Sequence, residues 1–517
     1  MSEINLPPLI RSLLDPSVYD HPTESICYRE THISWIILTG PYAYKIKKPV
    51  NFGFLDFSTL DKRHFYCQEE LRLNRRLAPQ LYLAVVAITG KPRSPRIDGL
   101  GPALEYAVKM RQFREQDLLA ERATRGELTE AIFQSLAERI ACFHQSAARV
   151  GAEDPYGDPD LIQEAARQNF AQIARTDRAI LAELKAWTEA EFDQLRPNMA
   201  ERKHQGFIRE CHGDLHLGNI VLWQGQPLPF DCIEFNPALR WIDVISEIAF
   251  TVMDLCARGC KPLGFGFLND YLSLTGDYAG VRLLRYYLVY RAMVRAKIAH
   301  LSGQQHPDEI AYQRDFEHYL ELARAFSQTK RAALCITHGF SGSGKSHASR
   351  QLAAHLGALY LRSDMERKRL VGLEATADSK SQLGSGIYTP DFTRRTYQKL
   401  WDDARTILSA GYPVIVDATF LKRAYRDRFK ELAASLKLPF MILDFQATEE
   451  VLRQRILKRL QERHDPSEAD LTVLEYQLRH HDPLDPSEQA AALRFDTAQA
   501  GSVENLLPAL QARLRFE

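Results

Sequence analysis

The stretch Gly339-Phe340-Ser341-Gly342-Ser343-Gly344-Lys345-Ser346 constrains this chain more than any other. It fits G-x-x-x-x-G-K-[ST], a loop whose glycines let backbone N–H groups point at phosphate oxygens. On that reading Gly339, Gly342, Ser343 and Gly344 shape a cradle, Lys345 reaches the β- and γ-phosphates of a nucleoside triphosphate, and the Ser346 hydroxyl ligates Mg²⁺. The flanks agree. Ala332–Thr337 reads as a short buried strand, and His347–Leu356 as the helix whose N-terminus faces the phosphates. The loop begins only at residue 339, so the preceding chain needs its own account.

At 517 residues the chain exceeds one ordinary core, and two to four domains are expected. Lys+Arg and Asp+Glu are both 66, so the formal net charge is 66 − 66 = 0. That balance argues against a protein whose main work is non-specific nucleic-acid binding. No apolar run reaches ~18 residues, and MSEINLPPLI lacks a basic stretch followed by an apolar one, so neither a membrane span nor a signal peptide is expected. Eight irregularly spaced cysteines suit a reducing cytoplasm rather than a disulfide framework. Cys256 and Cys260, on an apolar helical pattern, read as buried thiols.

Before residue 330 the first clear pattern is β. His32–Leu38 and Tyr42–Val50 flank a turn at Thr39-Gly40-Pro41, and alternation puts Ala43, Lys45 and Lys47 on one face. A helix follows, with Ser58 and Asp61 as a capping-box-like start, running to about Leu77. On it Tyr66, Glu70, Leu73 and Leu77 share a face, so Glu70 sits in the apolar stripe and needs a partner. A strand lysine followed by an inward helix glutamate is the pair that positions triphosphates in protein-kinase-like folds, and Lys45 with Glu70 is the expected pairing. Two more strands, Leu81–Ile88 and Leu104–Met110, flank a Gly/Pro/Ser-rich turn. The chain at Met110–Gln112 then links a small lobe (about 30–110) to a helical one (about 113–328).

The next chemical signal is Cys211-His212-Gly213-Asp214-Leu215-His216-Leu217-Gly218-Asn219. Its spacing, H-x-D-x-x-x-x-N, supplies a carboxylate to accept a hydroxyl proton and an amide to hold Mg²⁺ at one point. A metal site from His212, Asp214 and His216 is the alternative. Pro227–Cys232 supplies Asp231 after an apolar turn, placed as a second metal carboxylate; Asp243 is expected to tie the loop to the next helix. Together these residues resemble the motif of aminoglycoside phosphotransferases and related small-molecule kinases, over roughly residues 30–325. The resemblance implies Asp214 as catalytic base, Asn219 and Asp231 as Mg²⁺ ligands, Lys45 on the phosphates, and the 110–112 link, with Met110, on adenine. This chain departs from the family in its phosphate-covering loop, which has one glycine, Gly40, beside Pro41.

A domain boundary is expected at 328–331, giving domains 1–330 and 331–517, with no flexible linker between them. Beyond the phosphate loop, Leu359–Leu361 leads to Arg362-Ser363-Asp364, where Asp364 is the candidate base and Arg362, Arg367 and Arg369 are candidates for an anionic acceptor group. Gly384-Ser385-Gly386 marks a loop. The apolar strand Pro413–Val416 ends in Asp417, a carboxylate placed to hold the Mg²⁺ water shell. In Glu449–Arg463, Arg455, Arg459 and Arg463 line one helical face, and a row of this kind can close over a triphosphate. These features resemble P-loop kinases of the zeta-toxin, gluconate-kinase and polynucleotide-kinase kind, over roughly 331–500. In domain order the whole chain resembles bacterial proteins joining an aminoglycoside-phosphotransferase-like domain to an ATP-binding one.

The expected fold is therefore α/β and α+β: an N-terminal bilobal protein-kinase-like fold, then a C-terminal parallel P-loop sheet with helices on both faces. The expected activity is ATP/Mg²⁺-dependent transfer to a hydroxyl of a small metabolite (a sugar, nucleotide sugar or similar), with two nucleotide sites. A nucleotide-sensing regulator and a nucleic-acid 5′-hydroxyl kinase, drawn from the basic residues near 422–428, are the alternatives. Oligomeric state is not legible.

Overall fold

The computed structural model describes all residues except 1–5, 24, 54, 152, 174–178, 306–308, 329–330, 375–376, 378, 380–385, 463–466, 498–502 and 515–517, and the side chains of 462 and 503–505. Arg463, Gly384 and Ser385 lie outside the described residues. The chain forms two compact units, residues 1–162 with 199–251, and residues 163–198 with 252–517.

The first unit holds β1 (Cys27–Glu30), β2 (Ser34–Leu38), β3 (Tyr42–Lys47), β4 (Tyr82–Lys91), β5 (Ser94–Ile97) and β6 (Glu105–Arg111). They make an antiparallel sheet ordered β1-β2-β3-β6-β4-β5. Alternation along β3 sorts its faces. Tyr44 and Ile46 pack with Ile37, Val86, Ile88 and Ala107, whereas Ala43 joins Val108 and Met110 against Cys67 and Leu71 of the Leu60–Asn74 helix. The helix cap is Thr59, whose hydroxyl accepts the Lys62 N–H at 3.3 Å; Ser58 is spent on Asp56. The Gly/Pro/Ser-rich stretch after residue 88 is not a simple turn but the β4–β5 hairpin. Strand β1 has almost no apolar alternation, being largely exposed at the sheet edge, which is why its pattern reads as turn.

Strand register corrects the assignment of the phosphate-covering loop. Gly40 lies in the β2–β3 turn, at the end where Ala43 pairs with Met110, and its N–H donates to Gln112 Oε1 at 3.0 Å. It therefore sits beside the 110–112 link. The Lys47 end of β3 pairs with Ser34, next to the β1–β2 turn Thr31–Ile33, which contains no glycine. That turn is braced by Lys48, whose Nζ donates to Thr31 O at 2.6 Å and pairs with Glu30 at 2.5 Å.

Further along this unit, β7 (Ile208–Glu210) pairs with β10 (Trp241–Asp243), and β8 (Ile220–Trp223) with β9 (Gln226–Pro229), so that Asp214 and Asn219 fall between β7 and β8 and Asp231 just after β9. Val221 and Leu228 of the β8–β9 hairpin pack into the same cluster as Ala43 and Met110.

The second unit carries β11 (Leu334–His338), β12 (Leu359–Arg362), β13 (Val414–Asp417), β14 (Phe440–Gln446) and β15 (Ala492–Asp496), all parallel, in the order β12-β13-β11-β14-β15. One face packs on the helices Lys345–Leu356 and Val503–Leu514. The other meets the helices Pro390–Ser409 and Arg423–Ser435. The helices Lys261–Thr275, Val281–Gln305 and Ile310–Gln328 belong to this same unit. Arg285, only 4% exposed, donates to the carbonyls of Ala410 and Gly411 and stacks on Tyr412, joining the Val281–Gln305 helix to the turn before β13.

Candidate active sites

In the first unit, Lys45 and Glu70 come together as expected: Lys45 Nζ lies 2.9 Å from Glu70 Oε1 and 2.5 Å from Asp231 Oδ1. Burial works against the Lys45 charge, but Asp231 and Glu70 outweigh it and hold its pKa well above the usual range. Sequence reasoning missed the second lysine. Lys47 is fully buried, 2.6 Å from Glu70 Oε2, and also paired with Glu234. The signal was present in the i, i+2 spacing from Lys45. Burial opposes ionisation of Glu70, yet the two lysines bring its pKa below the ordinary carboxylate value. Burial wins at Glu234, which is raised.

The Asp214 loop is set by backbone geometry. Gly213 has φ +90, and a Cβ there would come within 2.7 Å of Leu239 O, so only glycine fits. The Glu247 carboxylate accepts the N–H groups of His212 at 2.6 Å and Gly213 at 2.8 Å, making it the residue that ties the loop to the following helix. Asp243, expected in that role, instead pairs with Arg202 at 2.7 Å and accepts the Ile245 N–H. His212 is fully committed, since Nε2 lies 2.8 Å from Phe230 O and Nδ1 accepts the Asp214 N–H at 3.3 Å. This removes His212 from the alternative metal site. His216 Nδ1 accepts the Gly218 N–H at 3.0 Å, so its ring proton belongs on Nε2, 3.4 Å from Asp214 Oδ2. Asn219 Nδ2 donates to Asp214 Oδ2 at 2.9 Å and to Asp214 O at 3.1 Å. Asp231 has φ +62, an uncommon conformation for a non-glycine residue, and its N–H donates to Tyr82 Oη at 3.1 Å. Met110 is buried against Ala43, Val221 and Leu228.

In the second unit, the loop 339–346 follows β11 and runs into the Lys345–Leu356 helix. Lys345 Nζ donates to Phe340 O at 3.0 Å. Burial lowers its pKa most, Asp417 and Asp364 oppose that, and Arg459 and Arg362 add to it, so these five charges share one locality. Ser343 Oγ and Asp417 Oδ1 are buried with no hydrogen-bond partner among the described residues. The other Asp417 oxygen accepts the Tyr360 hydroxyl at 2.6 Å, a contact sequence reasoning missed. It also missed Gln477, whose Oε1 accepts the Ser341 N–H at 2.9 Å and whose Nε2 donates to Ser341 Oγ at 3.0 Å.

The two described arginines of the cationic row diverge. Arg455 bonds Thr497 Oγ1 at 2.8 Å and Thr497 O at 2.7 Å, with Gly342 O at 3.4 Å; Arg459 donates to Ala469 O. Asp364 lies in the first turn of the Ser363–Arg369 helix, near Lys345 and Tyr388. Of the expected anion binders, Arg367 is spent on Ile387 O at 2.6 Å and Arg369 on Glu366 and Ser273 O.

On the same helix, Glu366 lies close to Asp403, a buried residue paired with Lys399 at 2.5 Å. Burial raises the Asp403 pKa from 3.8 to about 6, with Lys399 opposing and Glu366 adding. Between about pH 4 and 6 the folded chain holds a proton there that the unfolded chain has released, so stability falls as pH rises through that window, by roughly 2–3 kcal/mol at most. Asp403→Asn is expected to raise the melting temperature at pH 7.5 and to change it little at pH 4; equal shifts at both would refute this.

With the geometry in place, comparison with known proteins defines the class. Residues 62–284 match the family model described as Phosphotransferase enzyme family, and residues 334–484 match one described as AAA domain. The protein is thus a kinase-like chain in which an aminoglycoside-phosphotransferase-like segment precedes a P-loop kinase segment. It is 33% identical over 436 residues to Rv2004c of Mycobacterium tuberculosis and, equally, to Mb2027c of Mycobacterium bovis, covering 83% of this chain and 86% of theirs. The chain belongs to the family that these proteins represent. Among solved structures, it is similar to the amicoumacin kinase hAmiN in complex with AMP-PNP, Ca²⁺ and Ami (14% identity, 61% of this chain and 92% of that one, TM-score 0.40). A gluconokinase from Sinorhizobium meliloti is also similar (21% identity, 36% and 94%, TM-score 0.26). No helix among the described residues is long and apolar enough to cross a membrane.

Proposed function

We propose that the chain is an ATP- and Mg²⁺-dependent phosphotransferase with two nucleotide sites, each delivering the γ-phosphate to a hydroxyl of a small metabolite. One observation carries this reading: two separate sets of a lysine, a candidate base and hard oxygen donors. The first set is Lys45, Asp214, Asn219 and Asp231; the second is Lys345, Asp364, Ser346 and Asp417. Domains 1–330 and 331–517 are the corresponding division of the chemistry.

The donor sets fit Mg²⁺, being carboxylate, amide and hydroxyl oxygens, and the buried Asp417 Oδ1 lacks a protein partner among the described residues. Bound there, the ion neutralises phosphate charge that builds up during transfer. The chain's own residues do the rest. Lys45, held between Glu70 and Asp231, grips phosphate oxygens, and the 110–112 link with Met110 receives adenine. Asp214 accepts the acceptor-hydroxyl proton at its carboxylate, oriented by Asn219 and His216. In the second site the N–H groups of Gly339–Ser346 and Lys345 cradle the triphosphate, Asp364 takes the hydroxyl proton, and Arg455 and Arg459 stabilise charge on the transferring group.

The test is a screen of sugars, nucleotide sugars and 5′-hydroxyl oligonucleotides with labelled ATP, using wild type, Lys345→Ala, Asp214→Ala and the double variant. Transfer by wild type that is lost in the double variant is expected; turnover unchanged in all three variants refutes the reading. The oligonucleotide arm is expected to stay blank. In the basic stretch 422–428, Lys422 pairs with Asp482, Arg423 with Asp485 and Arg426 with Glu488, which offsets three of its four cations against the charge a nucleic-acid backbone would need.

A nucleotide-sensing regulator is the second reading, favoured by the glycine-free, Lys48-braced turn Thr31–Ile33. ATP binding that survives Lys345→Ala, with no acceptor labelled, would select it.

A further inference from the structure

The helix Lys261–Thr275 carries a residue whose placement reaches the P-loop metal position. Asn269 is 2% exposed and meets the edge strand β12 with its carboxamide. Its Nδ2 donates to Ala358 O at 3.0 Å, and its Oδ1 accepts the Tyr360 N–H at 3.0 Å. An edge strand leaves backbone donors and acceptors unpaired, and a carboxamide offers the same donor–acceptor pair as a peptide unit. Asn269 therefore stands in for one residue of a neighbouring strand, and it does so at Tyr360.

Tyr360 is the residue whose hydroxyl donates to Asp417 Oδ2 at 2.6 Å, with Ser346 O a second, longer contact at 3.3 Å. One tyrosine thus touches both residues assigned to the metal. Holding Oδ2 in a hydrogen bond fixes the rotation of the Asp417 carboxylate and leaves Oδ1 as the oxygen free to take a ligand. The ring itself is 5% exposed, packed among Cys335, Ala348, Leu352 and Ile415. Its hydroxyl position then follows from where the β12 backbone is held. Neighbouring contacts fix the same helix further: Asp270 makes a two-bond pair with Arg350 on the P-loop helix at 2.7 and 3.1 Å, and Ser273 O accepts from Arg369.

We infer that Asn269 is a positioning residue for the Mg²⁺ site of the P-loop, acting through the Tyr360 backbone and the Tyr360–Asp417 hydrogen bond. The placement has a consequence for how the chain is built. Asn269 falls within the segment that matches the phosphotransferase family, residues 62–284, whereas Tyr360 and Asp417 fall within the AAA match, residues 334–484. A residue from one family segment completes the metal geometry of the other, so a fragment beginning at residue 331 lacks part of its own site. The inference rests on the reading of 339–346 as a Mg²⁺–nucleotide site.

The experiment uses the full chain and titrates ATP by calorimetry, with Mg²⁺ and with EDTA, counting as P-loop binding the part that Lys345→Ala removes. Asn269→Ala and Tyr360→Phe are each expected to raise the Mg²⁺ concentration for half-maximal P-loop binding about tenfold, as loss of a ligand's orienting partner does elsewhere, while affinity in EDTA stays within about twofold. Should Asn269→Ala not fold, Asn269→Ser, which keeps a polar group too short to span both backbone partners, is held to the same thresholds. Equal losses with Mg²⁺ and with EDTA would mark a merely structural role and overturn the inference, as would an unchanged Mg²⁺ requirement. If Lys345→Ala removes no binding at all, the nucleotide reading of the loop itself fails, and the inference with it.

Discussion

Replacing Lys345 by alanine lowers the nucleotide affinity of the P-loop site by about 10²–10³-fold, the loss expected when one charged donor is taken from a water-excluded phosphate cradle. The fold does not suffer in proportion. Lys345 is 9% exposed, its ammonium donates to Phe340 O, and burial holds its pKa below the usual 10.5. A lysine with a depressed folded-state pKa weakens the fold at every pH below that value, since the unfolded chain binds the proton more tightly. The variant without nucleotide is therefore expected to melt at an unchanged or higher temperature. Titration of Mg²⁺–ATP together with a melting curve measures both. Retained affinity would remove the loop from nucleotide binding; a large drop in melting temperature would make the loss one of folding.

Asp214→Asn, made in the Lys345→Ala chain, slows transfer from the other site by about 10²–10⁴-fold while ATP affinity changes by less than about threefold. Asparagine keeps the shape and still accepts from Asn219, whose Nδ2 lies 2.9 Å from Asp214 Oδ2. It can no longer take a hydroxyl proton. Single-turnover transfer from labelled ATP to whichever acceptor the screen yields is the measurement. An unaffected rate would mean that Asp214 is not the base. A parallel collapse in ATP affinity would mean that it holds the nucleotide.

Other expectations divide by how local their cause is. The Glu70 environment was legible because a carboxylate inside an apolar helical stripe must find a cation, and Lys45 stood on the inward face of the preceding strand. Lys47 was placed by alternation on the same face but given no role, although burial with Glu70 and Glu234 makes it part of one five-charge cluster. Gly40 was misplaced for a different reason. A lone glycine marks a turn but not which end of the sheet the turn occupies, and only the Ala43–Met110 register set it beside Gln112. The arginines at 367, 369, 423 and 426 carried the right charge for anions, yet their partners at 387, 273, 485 and 488 come from segments whose proximity no local pattern encodes.

By itself, then, the sequence determined the two kinase-like motifs. Gly339–Ser346 and His212–Asn219 are short enough that backbone sterics and the required side chains are written in consecutive residues, and hydrophobic period 2 or 3.6 placed the strands and helices around them. Tertiary structure alone decided which residues complete those sites. Glu247 on the Asp214 loop and Asn269 against Tyr360 act through hydrogen bonds to backbone atoms. Backbone N–H and C=O groups are the same at every residue, so nothing in the local sequence of either partner announces the contact. Only the packed fold brings the donor to its acceptor.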